Sequence, residues 1–255
     1  MENIQDFIER ISREAGRLAL QYREKGLKTV ENKAANPKDI VTEADKAIEE
    51  YLRREILLAY PDHSILGEEG DDVEGNECLW ILDPIDGTVS FAHGQPIFTI
   101  SIAYRVGKTL EAGAVTAPVL NEFYYAERGK GAFLNGQPIK VSPCSNPVQS
   151  VVSTGFGCLR ANLKENNLER FCRIAPRVRG IRRMGSAAYD LAMVAAGRTE
   201  AYWEQHLNLY DIAAGVILVQ EAGGVISDFS GKAGINTEEV VAACPALHKQ
   251  LIEWM

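Results

Sequence analysis

Apolar residues along this chain recur in two patterns, one with helical spacing and the other made of short strand-like runs. Near the start, an i, i+3, i+4 spacing predicts an amphipathic helix that ends at Gly26. A second helix is predicted from about residue 42 to residue 59, before Pro61. The apolar stripe of the first helix consists of Ile4, Phe7, Ile8, Ile11, Ala15, Leu18, Ala19 and Tyr22.

Further strands and helices are predicted in a mixed order, without internal repeats. Asn135-Gly136 gives the strongest turn signal and predicts a hairpin. The order favours an α+β fold of stacked sheets and helices, with a lobe boundary near residues 143–147. Predicted strands lie at 63–66, 78–82, 98–105, 112–117, 122–126, 151–154, 177–181, 225–227 and 239–243. Predicted helices lie at about 164–172, 186–196, 211–222 and 246–254.

Composition narrows the class of protein. The 255 residues are 46% hydrophobic and 24% charged, which suits one large domain or two closely packed lobes. A net charge of -8 argues against direct nucleic-acid binding, because neutralising phosphates requires Lys and Arg. No apolar run reaches the roughly 18 residues of a membrane span, and residues 1–6 lack signal-peptide features. Five scattered cysteines are typical of reduced thiols, so we expect a cytoplasmic protein without a membrane segment.

The most informative segment is residues 80–88, where an apolar strand leads directly into Asp83. We expect Pro84 to end strand pairing, because it removes a ladder donor. Asp83 and Asp86 are three residues apart on the resulting turn and can converge on one point, where the Ile85 carbonyl offers another oxygen ligand. The alternative is an Asp-rich turn whose side chains cap the local backbone. Two convergent acids favour a cation site over that alternative.

The segment continues into Gly87 and Thr88, which are predicted to open a short helix. Backbone N–H groups at such a helix start are free to donate hydrogen bonds to a phosphate. The strand end therefore combines oxygen ligands for a cation with donors for an anion.

Two other segments carry acids in suggestive positions. Glu68 and Glu69 directly follow the strand predicted at 63–66, although for this segment taken alone a solvated acidic loop is the favoured interpretation. Thr42 and Asp45 form a predicted capping box for the second helix. Asp45 is also a candidate base that orients a water, and the two roles are compatible.

Taken together, these motifs resemble the inositol monophosphatase family, and they follow the family's order over nearly the whole chain. The resemblance implies a layered α-β-α-β-α sandwich of the sugar-phosphatase type. It also implies one domain over 1–255, with lobes at about 1–145 and 146–255, in a lithium-sensitive, Mg²⁺-dependent homodimer. The matching segments are Asp39-x-Val-Thr-x-x-Asp45, Gly67-Glu-Glu69, Trp80-Ile-Leu-Asp-Pro-Ile-Asp-Gly-Thr88, Tyr210-Asp-Ile-Ala-Ala-Gly215 and Glu221-Ala-Gly-Gly224.

Carried over to this sequence, the resemblance assigns a role to each motif. The metal ligands are Glu68, Asp83, the Ile85 carbonyl, Asp86 and Asp211, with Asp83 bridging two ions. The catalytic residues are Asp45, Glu68 and Thr88, of which Thr88 positions the attacking water with Asp45 behind it. The substrate-binding residues are Asp86, Gly87, Thr88, Gly185, Ser186, Ala187, Glu204 and Asp211. Simpler interpretations are an N-cap for Asp211 and a surface acid for Glu204.

Elementary electrostatics agrees with this assignment. Four carboxylates around one site would repel a phosphate dianion by several kcal/mol even at an effective dielectric constant of about 20. Two or three Mg²⁺ ions, which prefer oxygen ligands, would bring the site to neutral or to a charge of roughly +2. The expected activity is hydrolysis of myo-inositol 1-phosphate, or of a similar polyol or sugar phosphate, by metal-activated water.

Some residues depart from the family's pattern. Tyr210 stands where the family often has Trp, and Val89-Ser90 replaces a commoner Thr-Asn pair. The family's site-facing lysine corresponds to either Lys33 or Lys38.

The sequence argues against two other hydrolase classes and leaves some alternatives open. A phosphatase of the haloacid dehalogenase type requires Asp-x-Asp-Gly-Thr, whereas this chain has Asp-x-x-Asp-Gly-Thr at residues 83–88. A serine hydrolase would need a G-x-S-x-G elbow, which the sequence lacks. Fructose 1,6-bisphosphate, histidinol phosphate and nucleotide 3′-phosphates stay open as substrates. A non-catalytic partner in transcription or RNA processing is the alternative from another class.

Overall fold

The computed structural model describes residues 2–33 and 36–255, so Ala34 and Ala35 of the loop from Lys33 to Lys38 lie outside the described residues. The helices are α1 Ile4–Lys25, α2 Glu43–Ala59, α3 Thr88–Ala92, α4 Gly157–Arg160, α5 Leu168–Ile174, α6 Ala187–Ala195, α7 Leu209–Glu221 and α8 Pro245–Ile252. The strands are β1 Val30–Asn32, β2 Ile40–Thr42, β3 Ser64–Gly67, β4 Cys78–Asp86, β5 Thr99–Val106, β6 Thr109–Ala117, β7 Glu122–Glu127, β8 Gly131–Leu134, β9 Gln137–Ile139, β10 Val151–Thr154, β11 Gly180–Arg182, β12 Ala201–Gln205, β13 Val225–Ser227 and β14 Glu239–Ala243.

Local sequence signals explain where the first two helices begin and end. The Asn3 side chain accepts a hydrogen bond from the Asp6 amide at 2.8 Å, which caps α1, and Gly26 follows the helix with a φ of 76°. The predicted capping box of α2 is present, since the Asp45 carboxylate accepts the Thr42 amide at 2.9 Å. Both helix predictions are therefore confirmed.

The larger sheet has the strand order β3-β4-β5-β6-β7-β8-β9. Strands β3 and β4 are parallel, and the other neighbours pair antiparallel. The predicted hairpin turn between β8 and β9 is confirmed, because Asn135 and Gly136 have φ values of 48° and 77°. Positive φ at both central residues matches a two-residue hairpin turn that follows the twist of the strands.

The smaller sheet has the strand order β11-β10-β12-β14-β13. Its strand β10 is parallel to both neighbours, whereas β14 is antiparallel to β12 and β13. Strand β12 was not predicted, because all five of its residues are buried and the strand has no alternation of polar and apolar positions. This unpredicted strand carries Glu204.

Three hydrophobic clusters fill the spaces between the layers. Helices α1 and α2 cover one face of the larger sheet, where Trp80 and Leu82 point towards them. Helices α6 and α7 lie between the two sheets, in a cluster that joins Ile81 of β4 to Tyr202 of β12. Ile174 of α5 and Leu251 of α8 pack on the outer face of the smaller sheet. The predicted α-β-α-β-α sandwich is confirmed.

The two sheets draw on different halves of the chain, the larger on β3–β9 and the smaller on β10–β14. Helix α7 packs against strands of both sheets, so the halves share the central layer. The division into lobes at about 1–145 and 146–255 stays a prediction. Within the described residues, no helix combines the length and the apolar character needed to span a bilayer.

Some predicted boundaries were wrong. Strand β4 does not end at Pro84 but continues to Asp86 through a β-bulge. Helix α7 begins at Leu209, so Asp211 lies inside it and Asn208 is the N-cap residue. The predicted strand at 177–181 is β11, three residues further along, and the predicted helix at 164–172 is α5, which begins at Leu168. The short strands β1 and β2 and the short helix α4 were not predicted.

Candidate active site

One pocket brings the predicted site residues together, at the end of β4 and against the central helices α6 and α7. Asp45 alone among them does not line this pocket, but it reaches it through Thr88. The predicted site residues that line the pocket are Glu68, Asp83, Ile85, Asp86, Gly87, Thr88, Gly185, Ser186, Ala187, Glu204 and Asp211.

The β-bulge in β4 places two of the carboxylates. Asp83 pairs with Ser101 and Asp86 pairs with Thr99, so Pro84 and the following residue face a single residue of β5. An extra residue in a bulge bends the strand and changes the direction of its side chains. Pro84 is tolerated here because the bulge interrupts the hydrogen-bond ladder at the point where Pro lacks a donor.

A third carboxylate converges on the same point from α7. Oxygen atoms of Asp83, Asp86 and Asp211 all lie within 4.8 Å of one another. Asp211 occupies the third position of α7, where its carboxylate accepts the Asn208 amide at 2.5 Å. The interpretation of Asp211 as the N-cap residue itself is therefore wrong, although its carboxylate does take part in capping.

Hydrogen bonds from α6 fix the orientation of Asp86. Its Oδ2 accepts from Ser186 Oγ at 2.6 Å and from the Ala188 amide at 2.7 Å. Ser186 is the N-cap residue of α6 and its Oγ also lies 3.0 Å from Thr99 Oγ1. Ser186 therefore links the start of α6 to the acidic cluster.

Holding several negative charges in this buried cluster is energetically unfavourable. Burial raises the pKa of Asp83 well above its usual range, and Glu68 raises it further. Burial raises the pKa of Asp86 to about 6, against the opposing hydrogen bond from Ser186, and it raises the pKa of Asp211 as well. Asp83 Oδ1 is buried and has no hydrogen-bond partner among the described residues. An orphaned carboxylate oxygen facing other carboxylates fits a divalent cation with oxygen ligands.

Glu68 approaches the cluster from the end of β3, but it pairs with a lysine. Lys33 Nζ lies 2.7 Å from Glu68 Oε1 and 2.5 Å from Glu69 Oε1. Burial opposes the charge of Lys33, but Glu68 and Glu69 raise its pKa, so the lysine is protonated. Lys38 instead donates to Asn162 Oδ1 at 2.8 Å. Of the two candidate lysines, Lys33 therefore faces the site.

Thr88 lies between a carbonyl of the cluster and Asp45. Its Oγ1 is 3.1 Å from the Ile85 carbonyl oxygen and 3.3 Å from Asp45 Oδ1. Burial raises the pKa of Asp45 to about 6, although hydrogen bonds from Thr42 oppose the shift. A hydroxyl held between two acceptors has a defined direction, which suits the positioning of another molecule.

Two glycines allow close backbone approach beside the cluster. Gly87 has a φ of 93° and precedes α3, and a Cβ at this position would lie 3.0 Å from the Gly185 carbonyl oxygen. Gly185 also has a positive φ, 91°. A side chain at either position would therefore be strained, which leaves backbone groups exposed to the pocket.

Glu204 of β12 lines the pocket as well, and glycines surround it. It is 7% exposed, and its carboxylate accepts the Gly157 amide at 2.8 Å and Tyr202 Oη at 2.7 Å. A Cβ on Gly155 would lie 1.8 Å from Glu204 Oε2. Glu204 is therefore not a surface acid. The role of Gly155 and Gly157 was missed, because it depends on the pairing of β10 with the unpredicted β12.

Three further charged residues of the pocket were also missed. Arg160 and Arg183 line it on the Glu204 side, together with Asp190 in the first turn of α6. Asp190 is 2% exposed, and burial raises its pKa well above the usual range. A lone acid in the otherwise apolar run Ala-Ala-Tyr-Asp-Leu-Ala was a usable signal for it.

Comparisons with known proteins agree with this geometry. The sequence matches the inositol monophosphatase family over residues 1–254. The Nus factor SuhB of Pseudomonas aeruginosa is 42% identical over 228 residues, which are 87% of this chain and 84% of that protein. A fructose-1,6-bisphosphatase/inositol-1-monophosphatase of Thermotoga maritima is 42% identical over 217 residues, 85% of this chain and 82% of that protein. The solved structure of the extragenic suppressor protein suhB from Bartonella henselae has a TM-score of 0.92 at 33% identity, covering 98% of this chain and 97% of that chain.

The layered fold and the acidic pocket, together with these relatives, define a phosphatase that works with bound metal. Within that class, the chain belongs to the inositol monophosphatase family. The resemblance found from the sequence motifs is thereby confirmed, as is the prediction of a phosphatase enzyme.

Proposed function

We propose that this phosphatase hydrolyses phosphate monoesters of polyols and sugars. Inositol monophosphate is the proposed preferred substrate, and Mg²⁺ is the proposed metal. The observation that carries the proposal is the convergence of Asp83, Asp86 and Asp211 on one point, in a pocket that Glu204 also lines. The acidic ligands suit a metal and its phosphate. The Glu204 carboxylate suits the hydroxyl groups of a polyol.

Glu68, Asp83, the Ile85 carbonyl, Asp86 and Asp211 would hold two or three Mg²⁺ ions. When bound, divalent cations neutralise these carboxylates and lower the pKa of an attacking water. The support lies in the carboxylates themselves, which are buried, mutually repulsive and, at Asp83 Oδ1, without a protein donor.

The chain's own residues then position the reactants. Thr88 Oγ1, held beside Asp45, would orient the attacking water, and Asp45 would accept its proton through Thr88. The backbone at Gly87 and Thr88 would hold phosphate oxygens, since the left-handed glycine opens α3 towards the pocket. These groups meet features that every phosphate monoester shares, so they do not select the alcohol.

Selection of the alcohol would fall to Glu204, Ser186, Gly185 and Ala187, which line the same pocket, although Ser186 also donates to Asp86. The Glu204 carboxylate is held by Gly157 and Tyr202 and keeps lone pairs for substrate hydroxyls. Charge-assisted hydrogen bonds of this kind contribute about 1.5–3 kcal/mol each.

A phosphate-release assay tests the proposal directly. The panel contains myo-inositol 1-phosphate, fructose 1,6-bisphosphate, histidinol phosphate, a nucleotide 3′-phosphate and an aryl phosphate, each with Mg²⁺ and with excess chelator. We expect Mg²⁺-dependent release, fastest for inositol monophosphate. Full activity in chelator would contradict the metal assignment, whereas preference for another member of the panel would replace the substrate alone.

Other properties implied by the family are proposed as well. We expect lithium to bind after the ester is cleaved, and therefore to inhibit more strongly at high substrate concentration. We also expect the protein to be a cytoplasmic homodimer. Kinetics with LiCl test the lithium inhibition, and sedimentation at several protein concentrations tests the dimer. Lithium that competes directly with the substrate would contradict binding after ester cleavage.

The alternative from another class is a binding role in transcription or RNA processing. A relative from Pseudomonas aeruginosa carries the name Nus factor, which favours testing it. The convergent carboxylates favour the enzyme, because a scaffold has no physical need for them. Capture of transcription components by a chain that releases no phosphate would reverse this preference.

A further inference from the structure

The loop that carries Glu68 contacts an ion pair on α2, in which Glu49 is buried and Arg53 is partly buried. Glu49 is 2% exposed, and its Oε2 accepts the Glu69 amide at 2.8 Å. Its Oε1 accepts the Gly70 amide at 2.8 Å and Arg53 Nε at 2.7 Å. Both carboxylate oxygens of Glu49 are therefore committed to the loop or to Arg53.

Arg53 continues the same contact along the loop. Its guanidinium donates to the Gly70 carbonyl at 3.1 Å and to the Asp71 carbonyl at 2.8 Å. The pair thus binds amides and carbonyls of three consecutive residues. Since backbone groups have no freedom independent of the chain, these bonds fix the path of the loop and with it the direction of the Glu68 side chain.

The Glu49 carboxylate also explains the glycine that precedes Glu68. A Cβ on Gly67 would lie 2.3 Å from Glu49 Oε1 and 2.5 Å from Arg53 Nη2. Gly67 does not have a positive φ, so its backbone conformation is open to other residues. The glycine is therefore required for space, and the group that occupies the space is the Glu49–Arg53 pair.

One face of α2 serves both ends of the candidate site. Asp45, Glu49 and Arg53 are spaced four residues apart and so lie along the same side of the helix. Asp45 contacts Thr88, whereas Glu49 and Arg53 hold the Glu68 loop. A rigid helix thereby sets the distance between the residue proposed to accept the proton of the water and a proposed metal ligand.

A buried ion pair is weak evidence for stability, because the cost of desolvating two charges offsets their attraction. The hydrogen bonds of Glu49 and Arg53 nevertheless all go to the loop or join the two side chains. We propose that Glu49, with Arg53, is a positioning residue that presents Glu68 to the metal, and that Gly67 is glycine to admit it. This inference rests on the proposed metal-dependent function.

Two variants disturb the contact between Glu49 and the loop, one by changing Glu49 and the other by changing Gly67. A variant of the neighbouring Glu50 serves as a matched control. Glu49→Gln replaces one acceptor with an amide that cannot accept from the loop, and Gly67→Ala pushes a methyl group into the intact carboxylate. Glu50→Gln removes the same charge one residue along α2, at an exposed position. Mg²⁺ affinity is measured by calorimetry, beside kcat at saturating Mg²⁺ and the melting temperature in chelator.

We expect Glu49→Gln to weaken Mg²⁺ binding by roughly 10–100-fold, the usual effect of losing a group that orients a metal ligand. Saturating Mg²⁺ should restore most of kcat, because the ligands themselves are intact. Gly67→Ala should show the same pattern. Glu50→Gln should behave as the wild type.

Unchanged Mg²⁺ affinity in both Glu49→Gln and Gly67→Ala would overturn the inference, as would a loss of melting temperature alone. In a Glu49→Ala background, Gly67→Ala should cost less affinity than in the wild type, because the crowded carboxylate is gone. Equal costs in the two backgrounds would contradict the explanation of the glycine. If the wild type neither binds Mg²⁺ nor releases phosphate, the proposed function fails instead, so the two failures are distinguishable.

Discussion

The two walls of the pocket are built in different ways. The acidic wall comes largely from one stretch, 83–88, in which a bulged strand turns directly into a short helix. The second wall, which contains Glu204, is assembled from the residues that follow β10 and from β12, α4 and α6, which meet only in the folded chain. The first is a local structure, and the second is a product of tertiary packing.

The walls also differ in how their charges are satisfied. Asp83 on the acidic wall has a buried oxygen without a donor, whereas both oxygens of Glu204 accept hydrogen bonds from the protein. A buried carboxylate oxygen without a hydrogen-bond donor favours binding of a cation. A carboxylate whose two oxygens accept hydrogen bonds already has a fixed orientation towards a ligand. Under the proposed function, the chemistry would take place at the first wall and the alcohol would be selected at the second. Variants on each wall should therefore have different effects on different substrates.

The largest effect is expected at Asp83. Asp83→Asn should lower kcat by at least about 10³-fold on every substrate, because the proposed bridging ligand serves more than one metal ion. Phosphate release from an inositol phosphate and an aryl phosphate checks this. Asp72→Asn, an exposed change of the same kind, is the control. Unchanged turnover, or loss on one substrate alone, would break the contrast between the walls.

The same variant should stabilise the metal-free protein. Burial and Glu68 raise the pKa of Asp83 in the folded state, so the folded state binds its proton more tightly than the unfolded state does. In chelator, stability should therefore fall as the pH rises above about 4, the usual carboxyl pKa. Asp83→Asn should flatten this slope and raise the melting temperature, by about 2–4 °C for each kcal/mol relieved. A lower melting temperature in chelator would contradict the account.

A smaller loss is expected at Thr88. Thr88→Ala removes the hydroxyl between the Ile85 carbonyl and Asp45, and kcat should fall by about 10–10³-fold while Mg²⁺ binding persists. Thr88→Ser keeps the hydroxyl and should retain most of the activity. The loss should again be similar for all substrates. A parallel loss of Mg²⁺ affinity would show that Thr88 supports the metal ligands instead.

The same division explains what the sequence could predict. The part of the acidic wall at residues 83–88 was predictable because its residues are neighbours in the chain, whereas Asp211 on α7 was assigned to it only through the family resemblance. Glu204 could be assigned a role only through the family resemblance. Its strand β12 lacks polar–apolar alternation, and its contacts with Gly155 and Gly157 depend on parallel pairing with β10. No local pattern encodes such pairing.

Where predictions from local sequence signals were wrong, tertiary structure had altered the local backbone. Pro84 normally ends strand pairing, but the bulge between Asp83 and Asp86 removes the bond that Pro could not make. Asp211 is a plausible helix cap, but the helix begins earlier and leaves its carboxylate both capping and facing the cluster. Helix and turn signals with several agreeing residues, such as the capping box of α2, were reliable.

A selective effect is expected at Glu204. Glu204→Gln should lower kcat/KM for inositol monophosphate by roughly 10–100-fold, because the amide loses charge-assisted bonds to hydroxyls. An aryl phosphate, which offers no hydroxyls, should lose little. Glu238→Gln, an exposed change on the surface, controls for loss of a charge. Equal losses on both substrates would show that Glu204 supports the fold or the metal site.

The smallest effect is expected at Tyr202, which holds Glu204 without contacting the proposed substrate. Tyr202→Phe removes the 2.7 Å hydrogen bond to Glu204 Oε2, and kcat/KM for inositol monophosphate should fall by about 3–10-fold. Burial raises the pKa of Glu204, and the Tyr202 hydrogen bond lowers it. Without that bond the pKa rises further, so the acid limb of the pH profile should move to higher pH for the polyol alone.

Tyr124→Phe provides the control, since its hydroxyl donates to Glu122 at the same 2.7 Å and neither residue lines the pocket. Tyr124→Phe should lose at least as much stability as Tyr202→Phe, because it also removes the acceptor of a 3.0 Å hydrogen bond from Arg198. Only Tyr202→Phe should shift the pH profile, and only with the polyol substrate. If the pH profile with the aryl phosphate shifts equally, Glu204 affects the residues of the acidic wall. The proposal that one wall carries the chemistry and the other selects the alcohol would then be wrong.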